Sequence, residues 1–257
     1  MKVTIGIPTY NRAELWRKGK LWDSLMDQSI LPDEVVIVDD NSSDETVEVL
    51  SQFEKPFPVR VFKTNLPKTG KHNDSAFADN VIFKESTGDW LLHVDDDGWI
   101  DYRAVETIHK LSALGETAWY GNIYYVDAET MEVLDKDIRL SMGKITEDYA
   151  WGALWAAPLP LLRRIGGHEE RWIGKLGCDA RLGTRIARMG VRQAFYTGPE
   201  FRFYHFGLTT WQWYNKTNRK GEVYKHWVVP QHGQIESRPI VNGGEKYWAR
   251  LTEYVEA

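Results

Sequence analysis

Two hydrophobic rhythms alternate along the 257 residues. Short, almost wholly apolar runs rich in Val and Ile are separated by longer stretches with helical spacing. Lys2 to Ile7 is β-branched and predicts a buried strand, with Pro8-Thr9-Tyr10-Asn11-Arg12 as its exit loop. Leu15, Trp22, Leu25 and Met26 fall at i, i+7, i+10 and i+11, so Glu14 to Gln28 predicts a helix with one buried face, interrupted by Gly19. Glu34 to Val38 is a central strand. Asp39 to Asp44 follows, and Ser43 or Asp44 can cap a helix from Glu45 to Phe53. Val59 to Lys63 makes a third strand. This β-α-β-α-β order predicts a parallel sheet with helices on its faces.

The pattern continues with a helix over Asn73 to Ser86, a strand over Trp90 to Val94 and a helix over Tyr102 to Leu114 ended by Gly115. Trp119 to Val126 predicts one strand carrying four aromatics, and Glu129 to Leu140 a hairpin or short irregular pair. Ile145 to Ala156 is aromatic and shows no clear period. A short helix follows over Pro158 to Ile165, stopped by Gly166-Gly167, then a helix over Cys178 to Met189 with Gly190 as its C-cap. Val191 to Tyr196 is a strand. Phe201 to Phe206 alternates like an edge strand and delivers His205. Beyond it the chain is rich in Trp, Tyr, Lys and Arg with little periodicity. No repeat or low-complexity linker divides the chain, which reads as a single α/β domain with two functional halves.

Composition narrows the class. A formal charge of −5 argues against a surface built as a whole for nucleic acid. The single cysteine, Cys178, rules out an intramolecular disulfide, and a reducing, cytoplasmic location is the expectation. The N-terminus lacks the apolar core of a signal peptide, and no transmembrane segment is expected. The 12 Trp suit core, interface, or stacking on sugars and bases.

Candidate chemistry gathers at strand ends. Asp95, Asp96 and Asp97 follow the Trp90 strand, and Gly98 lets the chain turn. Such a run either caps the next helix as an acidic turn or presents alternate carboxylates to a hard divalent cation. In an open parallel sheet, ligands bind beyond the carboxyl ends of the strands. Here Thr9, Asn11 and Arg12, then Asp39 and Asp40, then Asp95 to Asp97 occupy three such ends. Neither a G-x-G-x-x-G nor a G-x-x-x-x-G-K-[ST] fingerprint is present.

The segments IGIPTYNR, DEVVIVDDNSSDET and GDWLLHVDDDG resemble the nucleotide-binding half of family 2 glycosyltransferases with the GT-A fold. GGHEERWIGKLGCDARLGTRIARMG is similar to that family's acceptor-side signature. The resemblance covers roughly residues 2 to 206. It implies a GT-A domain over residues 1–206, with 1–100 as the nucleotide-sugar half and 101–206 as the acceptor half, and residues 207–257 as an aromatic, basic extension. It places Pro8, Thr9, Tyr10 and Arg12 around the nucleotide and gives Asp40 a base N–H, with Asp39 as support for the loop. Asn80 stands in the family's Ala-Arg-Asn triplet, which here reads Ala78-Asp79-Asn80; the arginine is missing, and Lys71 is the candidate replacement.

The same resemblance assigns Asp95 and Asp96 to the donor, with Asp95 and Asp97 as the DXD ligands of Mn²⁺ or Mg²⁺. His205 is either a further metal or diphosphate contact or a satisfied, half-buried histidine. Asp179 is the implied general base of an inverting transfer; the usual Glu-Asp pair reads Cys178-Asp179, and a helix cap is the alternative. Without that base a retaining mechanism stays open. Trp172, and Trp151 or Trp155, either floor an acceptor site or pack the core. Trp211 to Trp227 suits sugar or base stacking, a membrane surface, a lid or a dimer contact. The implied function is metal-dependent transfer from a nucleoside-diphosphate sugar, UDP-sugars favoured, to a hydroxyl of a saccharide, protein, lipid or modified nucleic acid. The rival readings are an inactive nucleotide-sugar-binding module and a nucleotidyltransferase.

Overall fold

The computed structural model describes residues 1–53, 56–65, 76–136, 152–168, 178–207 and 248–251. Its strands are β1 (Val3–Thr9), β2 (Glu34–Asp39), β3 (Val59–Thr64), β4 (Trp90–Val94), β5 (Gly98–Ile100), β6 (Thr117–Tyr120), β7 (Asn122–Val126), β8 (Val133–Lys136), β9 (Leu154–Pro158), β10 (Arg192–Phe195), β11 (Arg202–Phe206) and β12 (Trp248–Leu251). Its helices are α1 (Ala13–Arg17), α2 (Lys20–Met26), α3 (Thr46–Leu50), α4 (Ala76–Glu85), α5 (Ala104–Ser112), α6 (Leu159–Arg164) and α7 (Cys178–Arg188). An eight-stranded sheet runs in the order β10-β6-β9-β4-β1-β2-β3-β12, and a four-stranded sheet in the order β5-β11-β7-β8.

The first four strands pair in parallel. Each feeds a crossover that returns over a sheet face, and β1, β2 and β4 are buried along their whole length. β2 shows why such strands read as unbroken apolar runs. Val35 and Ile37 enter one core with α1, α2, α3 and α5, while Val36 and Val38 enter the other with α4, α6 and α7. Gly6 in β1 makes room for α4: a Cβ there would stand 2.4 Å from Ile82. The large sheet is mixed, however. β9 runs antiparallel to β4 and β6, and β12 runs antiparallel to β3.

Local chemistry explains the other departures from the sequence expectations. Gly19 adopts φ +70°, which ends α1 and restarts the chain as α2, so the expected single helix is two. The aromatic stretch after Trp119 is two strands in different sheets, divided at Gly121. A Cβ on Gly121 would meet Leu154 at 2.5 Å and the Phe201 carbonyl at 2.9 Å. Asp127 closes the β7–β8 hairpin by accepting from the Glu129 and Thr130 amides at 2.9 and 2.8 Å. β11 lies inside the small sheet, paired with β5 and β7, and is not an edge. Pro8 and Thr9 belong to β1 and not to its exit loop. The ladder to β4 stops at Gly6, so the missing N–H of Pro8 leaves no gap in it. Gly98 opens β5 instead of forming a free turn. Lys71, Trp151, Trp172 and the Trp211 to Trp227 stretch lie outside the described residues.

Candidate functional site

The polar ends of β1, β2 and β4 are neighbours because those strands are adjacent and parallel. Their loops are tied together. Ser42 Oγ accepts from the Asn11 amide at 2.8 Å, and Asn11 Oδ1 accepts from the Ser43 amide at 2.8 Å. Asn11 and Asn41 hold φ of 51° and 61°, conformations that Asn tolerates better than most side chains. Thr46 and Asp44 accept from the Arg12 and Ala13 amides at 2.9 and 3.0 Å, so the loop after β2 caps the helix after β1. Asp44 also accepts from the Thr46 amide at 3.1 Å, but the N-cap of α3 is Glu45, which makes no side-chain cap, and not Ser43 or Asp44 as expected.

The acidic run sits beside this joint. Arg12 Nε donates to Asp96 at 3.2 Å, and its terminal nitrogen lies 3.6 Å from Asp97. His205 Nε2 lies 3.3 Å from the same Asp97 oxygen. Thr9, Trp16 and Asp96 form the wall beneath: Trp16 Nε1 donates to Thr9 Oγ1 at 3.0 Å. Tyr10 is half-buried at the rim. Asp179, at the start of α7, comes to the same place from the far end of the chain. A Cβ on Gly152 would stand 2.9 Å from one Asp179 oxygen and 3.9 Å from one Asp95 oxygen. Glycine at 152 therefore leaves open the space between the two carboxylates.

The two aspartates after β2 differ. Asp40 accepts from Thr64 Oγ1 at 3.0 Å. Asp39 accepts from the Ser42 amide at 3.0 Å through one oxygen; its other oxygen is buried and accepts no hydrogen bond among the described residues. Burial raises the Asp39 carboxyl above the usual range. Asn80 lies behind the site. It is buried, and its amide is spent on the His168 peptide, donating to the carbonyl at 3.0 Å and accepting from the N–H at 2.7 Å. Trp155 is likewise core, stacked on His93 with ring centroids 4.9 Å apart.

Burial first, and crowding of like charge second, set the titration behaviour. Burial, reinforced by Asp97, Asp179 and Asp96 and opposed by His93, pushes Asp95 up to about 7. Burial and Asp97 push Asp96 up to about 6 against the pull of Arg12. Burial acts the same way on Asp97, but His205 and Arg12 outweigh it and hold that carboxyl low. His205 is raised in turn: burial opposes its charge, and Asp97 outweighs burial. The anion among these three is thus concentrated on Asp97. One Asp97 oxygen is buried with no hydrogen-bond partner among the described residues. Carboxylate oxygens with an imidazole nearby are a donor set that suits Mn²⁺ or Mg²⁺. Among the described residues no group of three or more His, Cys, Asp or Glu side chains stands where it could by itself hold a metal ion. Water and diphosphate oxygens ordinarily complete the shell of these ions.

Comparison with known proteins gives the family and the fold. The model for glycosyl transferase family 2 matches residues 4–152, more than half of the chain. The poly(ribitol-phosphate) beta-glucosyltransferase of Bacillus spizizenii is 30% identical over 107 residues, which are 41% of this chain and 16% of that protein. The glycosyltransferase YwdF of Bacillus subtilis is 31% identical over 137 residues, 53% of this chain and 46% of that one. Among solved structures, S. aureus TarS 1-349 in complex with UDP superposes with a TM-score of 0.60 at 19% identity, over 84% of this chain and 63% of that chain. GalNAc-T7 with UDP, GalNAc and Mn²⁺ gives 0.61 at 14% identity, over 81% and 44%. The chain spans less than two thirds of each of these proteins, and the shared fold is GT-A. The family match spans the ends of β1, β2 and β4 with Thr9, Arg12, Asp39 and Asp95 to Asp97 between them, and the chain belongs to glycosyl transferase family 2.

Proposed function

We propose that this protein transfers a sugar from a nucleoside-diphosphate sugar to a hydroxyl acceptor, with a divalent metal and with inversion. The observation that carries the reading is the meeting of Asp179 with Asp95 across Gly152. It brings a carboxylate from the acceptor half to the acidic end of β4.

Each role follows from the chemistry of the side chain. Asp40, braced by Thr64, accepts the N–H of the base, with Asp39 supporting the loop. Uracil is favoured, in keeping with the UDP and UDP-GlcNAc complexes of TarS. Pro8, Thr9 and Tyr10 line the nucleotide, and Arg12 offsets the diphosphate charge, with Lys71 as a second cation. Asp97, Asp95 and His205 hold Mn²⁺ or Mg²⁺. When bound, the ion supplies Lewis-acid neutralisation of charge on the departing diphosphate. Asp95 also orients sugar hydroxyls, and Asp96 keeps Arg12 in place. Asp179 accepts the proton of the acceptor hydroxyl as that oxygen attacks the anomeric carbon. Trp172 supplies a stacking surface for the acceptor. The poly(ribitol-phosphate) relatives favour a polyol or saccharide hydroxyl. Residues 1–206 form the catalytic unit and 207–257 an extension that adds β12 to the edge of its large sheet, in a cytoplasmic protein.

The test is a thermal-shift series with UDP, GDP, TDP and CDP and their sugars, each with Mn²⁺ and with EDTA, followed by assay of nucleoside-diphosphate release. A ligand that binds the native state alone raises its stability. The expected result is a Mn²⁺-dependent shift with UDP and release of UDP in the presence of acceptor. No shift with any nucleotide removes the donor site. Binding without transfer favours the inactive module, and pyrophosphate release from an NTP favours the nucleotidyltransferase.

A further inference from the structure

The turn after α6 is a junction of three helices. α6 ends in a Schellman motif: the Gly166 and Gly167 amides donate to the Arg163 and Leu162 carbonyls, each at 3.0 Å. Both glycines are left-handed, with φ of 74° and 61°. Two such residues in succession set the direction of the chain beyond them only weakly, because glycine accepts many conformations. The constraint comes from α4. Asn80 is buried there and grips His168 by both of its main-chain polar groups, accepting from the N–H at 2.7 Å and donating to the carbonyl at 3.0 Å. Three residues on, and so on the same face of α4, Phe83 stacks on the His168 ring with centroids 5.6 Å apart. A Cβ on Gly167 would stand 2.2 Å from Asn80 Oδ1, so glycine serves the approach of Asn80 as well as the turn. α7 holds the junction from its other side: Arg185, also buried, donates to the Ile165 carbonyl.

We infer that Asn80 is a positioning residue for the acceptor half: by clamping His168 it fixes the 165–168 junction against α4, and through Arg185 it sets α7, with Asp179 in its first turn, against the donor site. Leu182 and Ile186 bury α7 in the same core as α4. Apolar contact has no direction, however, and does not fix where a helix stands along its own axis. Directional contacts do. α7 has Arg185 at the junction and Gln193, which donates to the Gly183 carbonyl at 3.1 Å. The first of these is only as firm as the junction, and Asn80 makes the junction firm. A buried amide side chain is costly unless its polar atoms are paired, and the two bonds to His168 pair both ends of this one. Asn80 thus acts on the acceptor side, although its place in the sequence motif suggested the nucleotide. The assignment rests on the proposed role of Asp179.

The experiment compares the full chain with its Asn80→Ala variant. Deuterium exchange is followed in the ligand-free proteins at the His168 amide and along α7. UDP affinity is measured by calorimetry with Mn²⁺, and kcat and KM from UDP release by UDP-GlcNAc with water as acceptor. The His168 amide and the amides of α7 should both exchange faster in the variant, by about 10-fold or more, because the junction opens with its clamp gone. UDP affinity and KM should stay within about twofold while kcat falls by about 10- to 100-fold, since a small misplacement of a catalytic group is enough for such a loss. An unchanged kcat overturns the inference. So does a loss of UDP affinity that matches the loss of kcat, which returns Asn80 to the nucleotide. Faster exchange at His168 with α7 protected as in wild type overturns it as well, because the clamp is then local. If Asn80→Ala does not fold, Asn80→Asp carries the same comparison: it keeps an acceptor for the His168 amide and loses the donor to the carbonyl. The exchange arm needs no donor, so it decides the clamp even where wild type binds no UDP. That last result removes the proposed function, and the role of Asp179 with it.

Discussion

His205 and Asp97 meet at 3.3 Å because Gly98, the residue after Asp97, lets β5 lie close against β11. Gly98 pairs with His205 across β5 and β11. A Cβ on Gly98 would stand 2.2 Å from the Tyr204 carbonyl, a backbone atom that cannot step aside. The Phe206 amide then donates to the Asp97 carbonyl at 2.8 Å, which fastens β11 to the acidic run. Gly98→Ala is therefore expected to destabilise the protein by about 1–3 kcal/mol, the range for overpacking. It should also weaken the Mn²⁺ dependence of UDP binding. Denaturant unfolding and a Mn²⁺ titration check the two effects separately.

Asp97→Asn removes the carboxylate that keeps its charge. Its expected effect is loss of Mn²⁺-dependent UDP binding and a fall in transfer of at least about 10²-fold, since metal charge stabilisation is worth several kcal/mol. His205→Ala should cost less, about 10-fold in metal affinity, as for a supporting contact. Transfer at the wild-type rate by Asp97→Asn would falsify the metal assignment.

Asp179→Asn separates binding from chemistry. UDP and Mn²⁺ should bind as in wild type, while transfer falls by about 10²-fold or more, the usual share of a general base. A variant that loses UDP affinity and keeps its turnover number would show that Asp179 serves the donor instead.

The crowded carboxylates and paired histidines give the metal-free protein a signed pH dependence. Asp95 and Asp96 titrate at about 7 and about 6 when folded, above the ordinary 3.8. The folded state holds more protons than the unfolded one there, so stability falls as pH rises through that window. His93, raised to about 9 mainly by Asp79 against the effect of burial, acts in the same direction. Its contribution is complete below 6.5 and is lost as pH rises through 9. His205, also raised, follows the same rule. Glu34 opposes them at the acid end. Burial raises its carboxyl, but Thr4, Thr87 and Arg60 outweigh burial and hold it below 4.5, so its contribution is lost as pH falls through the folded value. Melting temperature without metal should thus peak near pH 5 and decline toward pH 9. Asp95→Asn should flatten the stretch near pH 7, and a profile that rises from pH 6 to 9 would contradict the charge arrangement.

The central strands were legible because β1, β2 and β4 are buried on both faces and are therefore largely apolar. Their polar ends were legible for the same reason: Asp39 and Asp95 to Asp97 break off runs that have no other cause to stop. What stayed hidden depends on partners far away in the chain. Nothing in the period of Trp119 to Val126 records that Gly121 passes the chain from one sheet to another. His93 occupies an apolar slot in its strand, and only the arrival of Asp79 from α4 and Trp155 from β9 explains it. Nor does the sequence record that Thr64 reaches one oxygen of Asp40, or that one buried oxygen of Asp39 accepts no hydrogen bond among the described residues.

The reciprocal hydrogen bonds between Asn11 and Ser42-Ser43, with Thr46 and Asp44 capping Arg12 and Ala13, have a thermodynamic consequence for the proposed donor pocket. The nucleotide meets a floor that is preorganised, with its ordering entropy already spent in folding. Association should then proceed at a rate set by encounter and not by loop rearrangement. The amides of Asn11, Arg12 and Ser43 should exchange slowly with deuterium even before any donor is added, because their hydrogen bonds open only when the two loops part.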